Sequence, residues 1–120
     1  MSRDLANENA AAPRQKSVLS AQRRRLVELL QEIRFGEIEE LLVFEGEPQL
    51  VPPPRTKQTV LLGRPFLPHP ARDLADFALP QELIQLFALF DKRRSMRIIQ
   101  LEVHDGLPRK LTLAGTVVAT

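Results

Sequence analysis

Three consecutive arginines, Arg23-Arg24-Arg25, stand near the predicted start of a helix. Cations are unfavourable beside the positive end of a helix dipole, so a run of them there points to an anion such as phosphate as partner. The competing arrangement is local, with the arginines solvated and paired to Glu28 or Glu32 about one turn along. A second basic cluster, Lys92-Arg93-Arg94 with Arg97, follows the expected end of another helix, where positive charge stabilises the fold directly. These seven residues are the candidates for nucleic-acid contact through phosphates. The clusters occupy different ends of their helices, which argues against one shared groove and allows contacts to separated phosphates. The first three lie off the predicted apolar stripe, so replacing all of them by alanine is expected to leave the fold intact.

The remaining chemistry is sparse. The acidic residues Glu37, Glu39, Glu40, Glu45 and Glu47 include two that face the same way on a strand, a pair able to hold a divalent ion. The Gly and alternating Asp/Asn spacing of a calcium loop is missing, and a solvated strand face paired with the basic segments explains the run. Pro52-Pro53-Pro54-Arg55 is polyproline-like and suits an aromatic-lined groove of a protein partner. It equally suits a stiff segment at a sheet edge, since proline has no ladder donor. His69 and His104 have no nucleophile or second base beside them and read as exposed turn residues. With no cysteine, no phosphate-cradling glycine loop and no nucleophile elbow, the sequence offers no catalytic residue, metal site or cofactor site.

Composition is that of a folded globular protein. Of 120 residues 43% are hydrophobic and 27% charged, the balance of one ordinary globular domain. No apolar run approaches the length of a membrane span, and Met1 to Pro13 lacks the apolar core of a secretory signal, so a cytoplasmic location is expected. Tryptophan and tyrosine are absent, which leaves little for stacking single-stranded bases. The net charge of +2 conceals alternating blocks: residues 1–25, 52–72 and 92–120 are basic, while 26–51 and 73–91 are acidic. Blocks of this kind steer a charged partner or pair with one another.

The elements that must hold these residues form an internal repeat. Shifted by 60 residues, 26–48 matches 86–108 with identity at Leu26/Leu86, Leu29/Leu89, Arg34/Arg94, Ile38/Ile98, Leu41/Leu101, Val43/Val103, Gly46/Gly106 and Pro48/Pro108. Each copy reads as a helix followed by a β-hairpin. In the first, Leu26, Leu29, Leu30 and Ile33 form one helical face, Ser17 or Ser20 caps its start and Gly36 supplies the left-handed residue at its end. Alternation then puts Ile38, Leu42 and Phe44 on one strand face before the turn Glu45-Gly46-Glu47-Pro48. In the second, Pro80 opens a helix with the stripe Leu83, Leu86, Phe87 and Phe90. Ile99, Leu101 and Val103 line a strand face, and Asp105-Gly106 is the hairpin turn.

The segment Leu29-Leu30-Gln31-Glu32-Ile33-Arg34-Phe35-Gly36-Glu37-Ile38, followed by Leu42-Val43-Phe44-Glu45-Gly46, resembles the YezD-like family of small, uncharacterised bacterial proteins. The resemblance covers roughly a third of the chain and implies a helix–hairpin module in a bacterial or phage-type setting. It brings no catalytic residues. The chain departs from the family pattern at Pro52-Pro53-Pro54 and through its second copy.

One helix on one hairpin buries too little surface to be stable. The expectation is therefore an α+β fold in which two helix–β-hairpin repeats form one antiparallel sheet with two helices on one face. Residues 1–16 form a flexible arm, 17–63 the first repeat, 64–79 a proline-rich linker in which Asp73 caps a short turn, and 80–120 the second repeat. The expected function is that of a small non-enzymatic accessory or regulatory protein, associated with nucleic acid through the arginine clusters. The alternative is a protein–protein adaptor or assembly module that uses charge-complementary repeats and an exposed sheet edge.

Overall fold

Of the two candidate caps, Ser20 opens the first helix: its hydroxyl accepts the backbone N–H of Arg23 at 3.1 Å. The helix, α1, runs over Ala21–Ile33. It belongs to a computed structural model that describes residues 15–63, 65, 67, 69, 70, 74 and 76–115. The chain continues through β1 (Phe35–Phe44), β2 (Glu47–Gln49), β3 (Arg55–Gln58), α2 (Gln81–Arg93), β4 (Met96–His104) and β5 (Leu107–Leu113). The fold is α+β, two helices with one five-stranded antiparallel sheet. Residues 1–14 of the expected arm, Asp73 and the last five residues lie outside the described ones.

β1 and β4 pair at the centre of the sheet, β5 flanks β4, and β2 and β3 lie end to end along the outer edge of β1. Pro52-Pro53-Pro54 occupies the gap between β2 and β3, a place where no ladder donor is needed. The central register maps onto itself under the 60-residue shift. Gly36–Val103, Glu37–Glu102 and Ile38–Leu101 become Met96–Val43, Arg97–Leu42 and Ile98–Leu41, and all six pairs occur.

Both hairpins turn on two residues with positive φ, Glu45-Gly46 (54° and 79°) and Asp105-Gly106 (50° and 78°), the geometry that matches strand twist. Each turn also reaches the end of a helix from the other half of the chain. The Gly46 N–H donates to the Arg94 carbonyl at 2.6 Å, and the Gly106 N–H to the Arg34 carbonyl at 2.9 Å.

Two expectations about the backbone need correction. Arg34 at φ 62°, not Gly36, is the left-handed residue ending α1, and Arg94 at φ 65° ends α2 in the same way. Gly36 is required for a different reason: at φ 153°, a Cβ there would fall on the Lys57 carbonyl oxygen of β3. The second correction concerns strand faces. Alternation breaks at Glu40, whose backbone takes φ 59°, so Leu41 and Val43 turn inward while Leu42 and Phe44 are 51% and 60% exposed. In β4 the buried residue is likewise Ile98 rather than Ile99, beside an irregularity in the β4–β5 register between Ile98 and Gln100.

With that slip, one core forms. Leu26, Val27, Leu30 and Ile33 of α1 join Leu83, Leu86, Phe87 and Phe90 of α2 in a single cluster with Ile38, Leu41, Val43, Ile98, Leu101 and Val103. Both helices therefore cover the same sheet face. Burying each such side chain stabilises the fold by about 1.5–3 kcal/mol. Lys16, expected in a flexible arm, is instead 1% exposed: its ammonium donates to the Leu74 carbonyl at 2.7 Å and pairs with Glu28 at 3.0 Å. Its backbone N–H donates to the Phe77 carbonyl at 3.0 Å, tying the segment before α1 to the one before α2.

Candidate nucleic-acid interface

The first turn of α1 lies beside the last turn of α2, with the Glu45-Gly46 turn against both. Arg23 makes the junction. Its guanidinium donates to the Gly46 carbonyl from Nε (3.1 Å) and Nη2 (2.8 Å), and Nη2 also meets the Asp91 carboxylate at 2.6 Å. It lies over the rings of Phe87 and Phe90, 5.2 and 5.8 Å from their centroids. Arg23 is thus buried and internally satisfied, which corrects its expected place off the apolar face. It does not present its charge to a partner.

The helix start already faces anions of its own chain. The Ser20 hydroxyl donates to the Glu47 carboxylate at 2.6 Å while accepting from Arg23 N–H. Glu47 therefore supplies negative charge where the dipole is positive, and Asp91 answers Arg23.

The other cations at this end are differently placed. Arg24 is half-buried, Arg25, Lys92, Arg93 and Arg94 are exposed, and none of the five side chains has a hydrogen-bond or ion-pair partner among the described residues. Different helix ends weighed against a single groove in the sequence, and the Arg23–Asp91 pair places those two ends side by side. A start and an end become neighbours when one helix runs back beside the other, so clusters at opposite ends of their own helices meet at one end of the molecule. Hairpin periodicity and helix stripes do not reveal this. The signal available was Asp91, an acid directly before the second basic cluster at the position where Arg23 needs a partner.

Arg97 belongs elsewhere. It lies on the sheet face away from the helices in a two-point pair with Glu40, 2.7 and 3.2 Å, which raises the guanidinium pKa and lowers that of Glu40. Glu37 and Glu39 of the acidic run are engaged there too. Lys57 sits 3.5 Å from Glu37 and 3.0 Å from Glu39, and Arg55 sits 3.0 Å from Glu39. The hydrogen bond from Lys57, aided by Arg55, holds the Glu39 carboxyl below its ordinary value. Gln100 donates its side-chain amide to Glu37. Each of these glutamates thus has a protein partner, and the described residues contain no cluster of three or more potential metal ligands.

Pro52 and Pro53 are exposed and Pro54 half-buried, and Arg55 is engaged with Glu39. His104 is exposed and packs edge-on against Phe35 at 5.2 Å. His69 is half-buried rather than free in a turn, its backbone N–H donating to the Gln31 carbonyl at 3.0 Å. Among the described residues no helix is long and apolar enough to cross a membrane. Comparison of this chain with protein-family models, with curated proteins and with solved structures finds no match.

Proposed function

We propose that this chain is a duplicated helix–hairpin module, related to the YezD-like proteins its first copy resembles, that binds the phosphate backbone of nucleic acid through one end as a non-enzymatic accessory factor. The observation that carries the reading is that the helix start bearing Arg24 and Arg25 is joined to the helix end bearing Lys92, Arg93 and Arg94, with no acid paired to any of the five among the described residues. Of the other described cations, Lys16, Arg23, Arg34, Arg55, Lys57, Arg97 and Lys110 lie within 4 Å of a carboxylate, and Arg109 is the exception. Unpaired cations gathered at one end favour a polyanion.

The duplication draws support from the self-mapping register of β1 and β4 and from the reciprocal bonds between turns and helix ends. In this reading both copies contribute to the interface, the first through a helix start and the second through a helix end. With no tryptophan or tyrosine to stack on bases, contact is to phosphates and largely independent of sequence. The adaptor reading draws less support. β2 and β3 are short and interrupted by prolines, and β5 carries Pro108, Arg109 and Lys110, features that discourage strand addition at an edge.

The test is fluorescence anisotropy with labelled duplex DNA, single-stranded DNA and RNA over a range of salt. If about four phosphates are neutralised, affinity falls by about two orders of magnitude between roughly 50 and 200 mM salt. Replacing Arg24, Arg25, Lys92 and Arg93 by alanine, with Arg23 retained, abolishes the binding. Absence of binding to all three probes at low salt refutes the reading.

A further inference from the structure

We propose that Arg23 and Asp91 form the positioning pair of the basic end, holding the two cation-bearing helix ends at a fixed spacing so that both engage one run of phosphates. The proposal rests on the reading of that end as a phosphate-binding surface.

The opposite end of the molecule supplies the comparison. Sixty residues away from Arg23 and Asp91 stand Leu83 and Gln31. The second hairpin turn has the same backbone anchor, Gly106 N–H to the Arg34 carbonyl, but no guanidinium on its glycine. Around Gly106 lie the Gln31 side chain and the His69 ring, each 3.3 Å from where a Cβ would stand. Gln31 is 3% exposed and its Oε1 has no hydrogen-bond partner. That end has an ion pair of its own, Arg34 Nε to Asp105 at 2.9 Å, but it joins a helix end to the hairpin turn and leaves the two helix ends without an ionic bond to each other.

It also lacks the gathering of cations. Where the basic end carries Arg24, Arg25, Lys92 and Arg93, the equivalent positions are Ile84, Gln85, Glu32 and Ile33, and Arg34, the equivalent of Arg94, is paired with Asp105. The ion pair between helix ends and the unpaired cations occur together at one end, and neither is found among the described residues of the other.

Stability alone does not explain this coincidence. Asp91 is half-exposed, so the ion pair itself contributes little to stability, and Leu83 is an apolar side chain at the position equivalent to Arg23 in this same fold. What the clamp adds is geometric. One guanidinium, 7% exposed, fixes the Gly46 carbonyl and the Asp91 carboxylate together, and so joins the first turn of α1 to the last turn of α2 directly before Lys92. Groups that contact a ligand act together only when their supports hold them in register.

The experiment installs the other end's pair, Arg23→Leu with Asp91→Gln, leaving all five surface cations in place. Folding is checked by circular dichroism, and a labelled 20-base-pair duplex is titrated at several salt concentrations. Affinity is expected to fall about tenfold, and the salt slope to drop by about two, as the clusters cease to bind together. The slope separates positioning from general destabilisation, because a smaller folded fraction weakens binding at every salt concentration without changing the number of ions released. A folded double variant with the slope and affinity of the wild type overturns the proposal. If the double variant does not fold, Asp91→Asn, which leaves Arg23 on the Gly46 carbonyl, is judged by the same slope. A wild-type protein that fails to bind the duplex removes the underlying reading and the proposal with it; loss or retention of the slope in the variant bears on the positioning pair alone.

Discussion

Replacing Arg23 by alanine should destabilise the protein far more than replacing Arg24 and Arg25 together. Its guanidinium makes two hydrogen bonds to one carbonyl and an ion pair, over two aromatic rings. Hydrogen bonds to a charged group are worth about 1.5–3 kcal/mol each when buried, but they share one acceptor here and do not add. Asp91 is 53% exposed, so water replaces much of what it loses, and the ion pair deserves only a surface-like contribution. Loss of the packed stem adds about 1 kcal/mol. The expected cost is about 2–4 kcal/mol, a fall in Tm of about 10–20 °C for a domain of this size. Arg23→Leu, which refills the space as Leu83 does, should cost less than half as much. The Arg24→Ala, Arg25→Ala double variant should stay within about 0.5 kcal/mol of wild type. Without tryptophan or tyrosine, urea unfolding is best followed by far-ultraviolet circular dichroism. Equal stability losses for Arg23→Ala and for the Arg24, Arg25 double variant would refute the clamp and return Arg23 to the surface.

Leu41→Ala should cost about 2–5 kcal/mol and Leu42→Ala under about 0.5, and a reversal of that order in urea unfolding would contradict the strand-face slip at Glu40. Gly36→Ala places a methyl on the Lys57 carbonyl and should cost at least about 3 kcal/mol, whereas Gly63→Ala, with open space around its Cβ, costs only the positive-φ penalty of about 1–2. Stability should also fall in acid. Glu39, Glu40 and Asp76 are held below their ordinary values by Lys57, Arg97 and the Ser17 backbone N–H respectively. Each gives up its proton more readily folded than unfolded, so its contribution is complete above the ordinary carboxylate pKa and disappears as pH falls through the lowered one. A Tm profile flat from neutral pH down through the carboxylate range would show that these pairs contribute nothing.

The helices, both turns and the antiparallel sheet were legible because stripes at helical spacing and the Glu45-Gly46 and Asp105-Gly106 dipeptides are local signals. The strand faces were misread because a glutamate at positive φ has no sequence signature, and strict alternation carried Leu42 and Phe44 inward. A better signal was present. Ile38/Ile98, Leu41/Leu101 and Val43/Val103 are the positions of β1 and β4 identical at the 60-residue shift, and all six are buried, while Leu42 and Phe44 face the unlike residues Glu102 and His104 in that comparison. Arg34/Arg94, also identical, are both helix ends with positive φ. Identity between the two segments thus tracked structural need. The basic end was not legible, since the meeting of residues so distant in the chain depends on how the helices lie side by side.

The reciprocal anchoring of the turns has a dynamic consequence. Amides at the tip of a β-hairpin ordinarily exchange their hydrogen for deuterium quickly, because the tip frays without disturbing the rest. Here the Gly46 and Gly106 amides are buried and bound to the helix end of the opposite unit. Opening either one requires the two units to part. These tip amides should therefore exchange as slowly as those in the middle of β1 and β4, and report on separation of the halves rather than on local fraying.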